Sequence, residues 1–474
     1  MCCTPSTFSV VVNGSSLRIN LRMKWSSDIL NYLRRLRGNS SEAVLTRKAG
    51  GAFFINALGT AIAFGLQVLL ARLLGVTDFG KYIYVITWIN LLVMVGKLGL
   101  DTTSLRLLPG YSSHGQWHLL RGYVRYSTGV AVMSSVGIGM GLAIVVTVSR
   151  DLLEAGLVPV FIIGATLLPL TVFLVLRCVQ LQAFRYIVLS QVPQVILRPL
   201  LLGLALVVVS VFRDGTVPAG QAMMLNVVTT VLVAVVVMVT ARRVLPREFF
   251  VGPRERENGI WRGIALPMLL ITSFNIVLNQ TDMLMVGSLL TAREAGIYGG
   301  VSRIAMLIPL AIVLVNLVTA PVIAELYSCG RLSQLQRMTT RVAWGSVVVS
   351  MPLFLVVVTV PQNLLRVFGS EFIGGTEALV ILACGRLVIA LTGSAGYLMS
   401  MSDHQKRAAY ILGLTAMLDV ALCAGLVPRF GIEGAATAST ATSVVWCVAM
   451  VVDARRMTGI SATIVDFQRL RKSA

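Results

Sequence analysis

Twelve apolar stretches follow one another along the chain, at roughly 50–73, 80–100, 124–149, 154–176, 186–211, 217–241, 264–290, 295–323, 342–360, 375–401, 408–427 and 432–453. A run of about 20 apolar residues, rising 1.5 Å each, matches a hydrocarbon core of roughly 30 Å. Inside a bilayer the backbone must satisfy its own hydrogen bonds, so each stretch predicts a transmembrane helix. The basic residues sit on alternate sides of these stretches. The even-side segments and both tails carry 29 Lys and Arg, the odd-side loops 7. By the positive-inside rule, both termini are expected in the cytoplasm of a multi-pass protein of the inner (plasma) membrane.

Composition agrees with that reading. With 56% apolar and 13% charged residues and a mean hydropathy of +0.83, 474 residues offer too little polar surface for a soluble globule. A net charge of +20 would suggest nucleic acid in a soluble chain. Here it is spread over short loops, where orientation and anionic lipid headgroups account for it. The seven cysteines contain no CxxC and outline neither a disulfide framework nor a zinc site. Met1–Val12 lacks the basic start of a secretion signal. Trp25–Arg37 spaces Trp25, Ile29, Leu33 and Leu36 helically among arginines, as in a helix lying on the inner leaflet; a disordered tail before Met23 is the alternative.

An ungapped offset of 216 residues relates the two halves. It aligns Gly80 with Gly296, Tyr82 with Tyr298, Tyr111 with Tyr327, Arg121 with Arg337, Arg125 with Arg341, Arg150 with Arg366 and Arg213 with Arg429. Recurrent loop arginines are harder to obtain by chance than apolar matches. Six helices per half is an even number, so both halves run the same way through the membrane, a parallel repeat about an axis along the membrane normal. The expected organisation is a basic N-terminal segment 1–49, a six-helix lobe 50–241, a linker 242–259, a second lobe 260–455 and a basic tail 456–474. The fold class is all-α integral membrane.

The local text then becomes specific. LLARLLGVTDFGKY at 69–82 resembles the first helix–loop–helix of Wzx-type oligosaccharide flippases in the MATE/MOP superfamily. Asp282 followed by LLTAREAGIYGGVSRI at 289–304 is similar to that family's seventh helix and its following loop, and MSDHQKR at 401–407 and VPRFGIEGAATA at 427–438 extend the likeness. Asp419 departs from the neutral residue expected there. The resemblance implies a flippase that moves a polyprenyl-diphosphate-linked oligosaccharide from the cytoplasmic to the outer leaflet by alternating access. Membrane lipids and the polysaccharide polymerase machinery would be its partners, coupling would be electrical or through an H+ or Na+ held by Asp282, and the scattered charge points to no nucleic acid. The product would be a surface polysaccharide such as O-antigen or exopolysaccharide.

Four basic residues fall inside helices: Lys97, Arg198, Arg303 and Arg386. An intramembrane cation costs about 2.5–3.5 kcal/mol, so each needs a reason. Arg198 lies midway along its helix, and Gln191, Gln194 and Arg198 at i, i+3 and i+7 form one polar stripe, lining a cavity or bonding between helices. Arg303 and Arg386 lie about ten residues in from the outer face, where guanidinium forks suit diphosphate oxygens or snorkel outward. Lys97, near a cytoplasmic end, is expected to snorkel. Asn275, Asn279 and Asp282 make a second stripe, which binds a coupling ion, contacts substrate or forms a static bridge. Asp419 is similarly deep. Asp101 is expected to be structural, Asp78 to be a helix N-cap, and Gly59, Gly65, Gly137, Gly139 and Gly141 to mark close helix packing.

No Walker A sequence occurs, so ATP hydrolysis by that route is not expected, and His114 and His118 lack the context of a metal site. No cofactor is implied. A cation-coupled multidrug exporter of the same fold would prefer acids and aromatics to three deep arginines. A membrane polymerase or glycosyltransferase would need a larger external loop or an acidic motif.

Overall fold

A computed structural model describes residues 41–460, apart from 155, 185, 214–215, 256 and 402–404. The expected helix at Trp25–Arg37 and the tail beyond 460 lie outside the described residues. The chain divides into two units, Met1–Ala49 and Gly50–Ala474. Of the first, Ser41–Ala49 is described and is helical.

Helices are the dominant element, and no strand occurs among the described residues. In chain order they are α1 (Ser41–Lys97), α2 (Leu100–Ser113), α3 (Trp117–Val148), α4 (Leu157–Ala183), α5 (Ile187–Val192), α6 (Arg198–Arg213), α7 (Ala219–Val244), α8 (Asn258–Leu289), α9 (Ala292–Ala305), α10 (Leu310–Ser328), α11 (Leu332–Thr359), α12 (Pro361–Arg366), α13 (Thr376–Thr392), α14 (Ala395–Met401) and α15 (Gln405–Thr458). Among the described residues eight helices are long and apolar enough to cross a membrane, or nine with the bent pair Ala292–Ala305 and Leu310–Asn316 as one span. Two of the eight, Phe54–Lys97 and Lys406–Thr458, run 44 and 53 residues. Each contains a glycine at positive φ, Gly75 (φ 74°) and Gly431 (φ 60°), where an L side chain would be strained and the helix breaks into two passes. With α8 these account for all twelve apolar stretches.

Within the first half α4 is the hub, packing on α3, α7 and α2. In the second half α15 plays that part, against α8 and α13. The halves meet at the ends opposite the 242–259 linker. There Phe64 stacks edge-on with Phe368 at 5.7 Å and Phe79 with Phe372 at 5.7 Å. Arg72 Nε donates to Val367 O at 2.7 Å, and Ala292 N donates to Glu154 Oε2 at 2.9 Å. Gly80 and Gly296 lie backbone to backbone: a Cβ on Gly80 would meet Ala292 O, and one on Gly296 would meet Val76 O. The repeat thus returns at the lobe interface as a near-symmetric helix crossing, of the kind small residues permit. On the linker face Trp261 of α8 packs into Tyr123 and Tyr126 of α3, and Gly99 lies against Ala265 O.

Several sequence expectations are corrected here. Asp78 stands three residues into the helix that begins after Gly75, with its carboxylate 3.7 Å from Lys81 Nζ, so it is not the N-cap. Its repeat counterpart Glu294 occupies the same third position in a capping box with Thr291. Lys97 pairs with Asp101 at 2.6 Å instead of reaching alone to the interface. Of the five glycines, Gly59 packs on Val195 and Gly139 on Ala165, whereas Gly65, Gly137 and Gly141 have nothing within 4 Å of a Cβ.

Candidate functional site

A polar side chain in an apolar helix costs free energy unless it finds partners, so the deep polar residues reveal where helices converge. Arg198 opens α6 directly after a π turn at Pro193–Leu197. Pro199 has no N–H to give to Val195 O, and its ring crowds that carbonyl, so the turn widens. The extra residue in that turn breaks the stripe read at i, i+3 and i+7. Gln191 accepts from Asn56 Nδ2 at 3.0 Å, Gln194 lies against the Cys178 thiol, and Arg198 turns elsewhere.

Arg198 Nη2 donates to Asn226 Oδ1 at 3.1 Å, and Asn226 Nδ2 donates to the Tyr82 hydroxyl at 2.8 Å. Tyr82 therefore joins α6 and α7 to the second arm of α1. It also faces the second lobe, because Arg303 of α9 is its electrostatic neighbour. Arg303 in turn interacts with Asp282 of α8. Asp282 is 4% exposed, takes the Tyr298 hydroxyl on Oδ2 at 2.8 Å and accepts its neighbour Met283 N on Oδ1 at 2.8 Å. Arg386 of α13 interacts with Tyr298 and Asp419, and Asp419 of α15 with Asp282, Arg386 and Thr442. Three guanidinium groups and two carboxylates thus cluster at the lobe interface within electrostatic reach of one another, and among the described residues hydrogen bonds join Arg198 to Asn226 to Tyr82 and Tyr298 to Asp282.

The cluster is incompletely paired. Arg303 Nε, Arg386 Nε and Asp419 Oδ2 are buried without a hydrogen-bond partner among the described residues. Neither arginine approaches Asp282 within the 4 Å of an ion pair among those residues. A buried, unsatisfied charged donor costs about 1–3 kcal/mol or more, and so is unusual where packing alone is selected. The arrangement can offer forked donors to a multiply charged oxyanion.

Of the candidates from sequence, Arg198, Arg303, Arg386, Asp282 and Asp419 come together, while Gln191 and Gln194 bond elsewhere. The side chains of Asn275 and Asn279 lie outside the described residues. Tyr82, Tyr298 and Asn226 were missed. Two had a signal: Tyr82 and Tyr298 are repeat equivalents two residues beyond the crossing glycines. Asn226, 4% exposed, is as costly in its apolar helix as any deep polar group, and the same test applied to amides would have found it.

A family model described as polysaccharide biosynthesis protein matches residues 45–327, more than half of the chain. The chain belongs to this polysaccharide biosynthesis protein family. No curated protein matches it in sequence. Solved structures share its fold at low identity. An inward-facing multidrug resistance MATE transporter of the MOP superfamily matches with TM-score 0.70 and 12% identity over 87% of this chain and 98% of that one. The lipid II flippase MurJ in an inward closed conformation gives 0.65 and 11% over 84% and 86%. The MATE multidrug transporter DinF-BH gives 0.62 and 17% over 90% and 98%. This family member is therefore an integral membrane protein with the MATE/MOP transporter fold, as the motifs at 69–82 and 289–304 implied. The fold is one that solved transporters share.

Proposed function

We propose that the protein translocates a polyprenyl-diphosphate-linked oligosaccharide across the inner membrane, with both termini cytoplasmic. The carrying observation is the arginine cluster at the lobe interface, where two guanidinium groups keep a buried Nε without a partner among the described residues. A diphosphate brings several oxyanion acceptors, and Arg forks match them bidentately, while the polyprenyl tail stays in lipid. Asp282 and Asp419 compete for the same arginines, so they return those arginines to internal partners once the headgroup leaves. The contacts opposite the linker would close the outer side during loading and part during release. An inside-negative potential favours outward movement of an anion by about 2.3 kcal/mol per charge per 100 mV, and Asp282 is the candidate for a coupled H+ or Na+.

The fold is shared with multidrug transporters, but three arginines against two carboxylates repel cationic drugs. The test is reconstitution into vesicles with a lipid-linked oligosaccharide in one leaflet, read by its accessibility to an external glycosidase. Arginine-dependent translocation is expected. Equal rates for the protein and its Arg386→Ala form, or transport of cationic dyes with none of the saccharide, would overturn the reading.

A further inference from the structure

The arginines that fix orientation are not merely scattered over the linker face. Arg121, Arg125, Arg177, Arg242 and Arg254 line one hollow of about 540 Å³ formed by the linker-side ends of α3, α4 and α7 and by the linker itself, with no acidic residue among the described residues of its wall. None of the central cluster lines it. Arg121 builds the wall. Its Nε donates to Pro253 O at 2.9 Å and its Nη1 to Val251 O at 2.9 Å and to Glu248 O, which folds the linker over the lobe. Gly252, at φ 130°, adopts a backbone that an L side chain rarely takes and lies against that guanidinium.

The other four arginines are left to face the hollow. Arg177 Nη1 donates to Gln180 Oε1 at 3.0 Å and its Cζ lies 5.1 Å from the Phe173 ring centroid, yet its Nε is buried without a partner among the described residues. Its electrostatic neighbour is another cation, Arg242. Arg125, Arg242 and Arg254 are exposed and make no ion pair among the described residues, and the nearby Glu255 is turned to His118 at 3.3 Å. Like charges gathered in a wall without acids repel one another unless an anion lies between them. Arg125, Gly129 and Arg254 also border a second hollow of about 620 Å³ that runs along α3 to Met133. From there Met133, Val136, Met140 and Ile144 form an exposed apolar ridge at spacings of three and four residues. A cationic cup opening onto an apolar ridge has the two-part chemistry of a lipid with a phosphate head.

We propose that this hollow, separate from the central cluster, holds the phosphate group of a lipid at the linker-side membrane surface. Basic pockets between helices commonly take anionic headgroups. Two sources share that chemistry, an ordinary anionic phospholipid and a polyprenyl diphosphate.

The full-length protein in phosphatidylcholine nanodiscs, measured by native mass spectrometry, tests this with three probes: phosphatidylglycerol, polyprenyl diphosphate and inorganic diphosphate. Retention of one or both lipids is expected, weakened about a hundredfold in the Arg242→Gln/Arg254→Gln double variant, since each of the two charge-assisted bonds is worth roughly a decade in affinity. Which lipid is held more tightly names the source. Arg150→Gln/Arg429→Gln, on the opposite face, removes the same net charge and should change nothing. Arg177→Lys, which keeps the charge, should retain more lipid than Arg177→Gln, with unfolding temperature recorded for both. Binding of inorganic diphosphate alone, or equal lipid retention by wild type and double variant, would overturn the proposal. The readout is binding, so it is independent of whether any saccharide is translocated.

Discussion

Tyr298 donates its hydroxyl to Asp282 Oδ2 at 2.8 Å, whereas Tyr82, one repeat earlier, accepts from Asn226 Nδ2 at 2.8 Å. The same position in each half faces a carboxylate in one lobe and an amide in the other, so the repeat is structurally symmetric and electrostatically unequal. Tyr298→Phe removes a donor from a carboxylate that is 4% exposed and should cost about 1–3 kcal/mol. Tyr82→Phe removes a neutral bond and should cost about 1 kcal/mol. Thermal unfolding in detergent checks the order, and a larger loss for Tyr82→Phe would contradict it.

Arg198→Ala should stop export of polymer while lipid-linked precursor accumulates on the inner leaflet. Arg198→Lys should keep part of the activity, because a point charge still attracts phosphate but loses the fork that also holds Asn226. Precursor and polymer are quantified together, since loss of both would indicate a fault upstream of translocation.

The two carboxylates should differ in consequence. Asp419 lies within electrostatic reach of Arg386, so Asp419→Asn should slow transport by weakening the return of that arginine while leaving gradient dependence unchanged. Asp282→Asn alters the residue that organises Tyr298 and faces Arg303, and should change gradient dependence. Vesicles with imposed proton or sodium gradients measure this. Undiminished flipping with unchanged gradient dependence would exclude Asp282 as the coupling residue.

Gly80→Leu and Gly296→Leu should each force the lobes apart opposite the linker, because even a Cβ there meets backbone. With native cysteines replaced by serine, a cysteine at Phe372, which is buried against Phe79, should become reactive to an impermeant thiol reagent in either variant. Continued protection would mean that the crossing is not a closing contact.

Reporter fusions after Arg150, Arg293 and Arg429 should read outside, and after Arg254 and Lys406 inside. Reversal at two or more sites would end the orientation argument.

The number and spacing of helices, the repeat and the depth of the charged residues follow from sequence alone. Each is one-dimensional: apolar length is matched to bilayer thickness, and Gly80, Tyr82 and the loop arginines recur at a fixed offset. Tertiary structure decided which deep residues meet. Arg198, Arg303, Arg386, Asp282 and Asp419 lie on five helices, and no periodicity within one helix states which neighbour it faces. The stripe from Gln191 to Arg198 assumed uniform helical geometry, and the π turn at Pro193–Leu197 rotates its ends apart. Asp78 looked like a cap because the helix start depends on the backbone of Gly75, which only the fold fixes. The basic hollow was hidden for the same reason. Arg125, Arg177, Arg242 and Arg254 each satisfy the orientation rule singly, and they become a site only when the linker folds over Arg121 and gathers them.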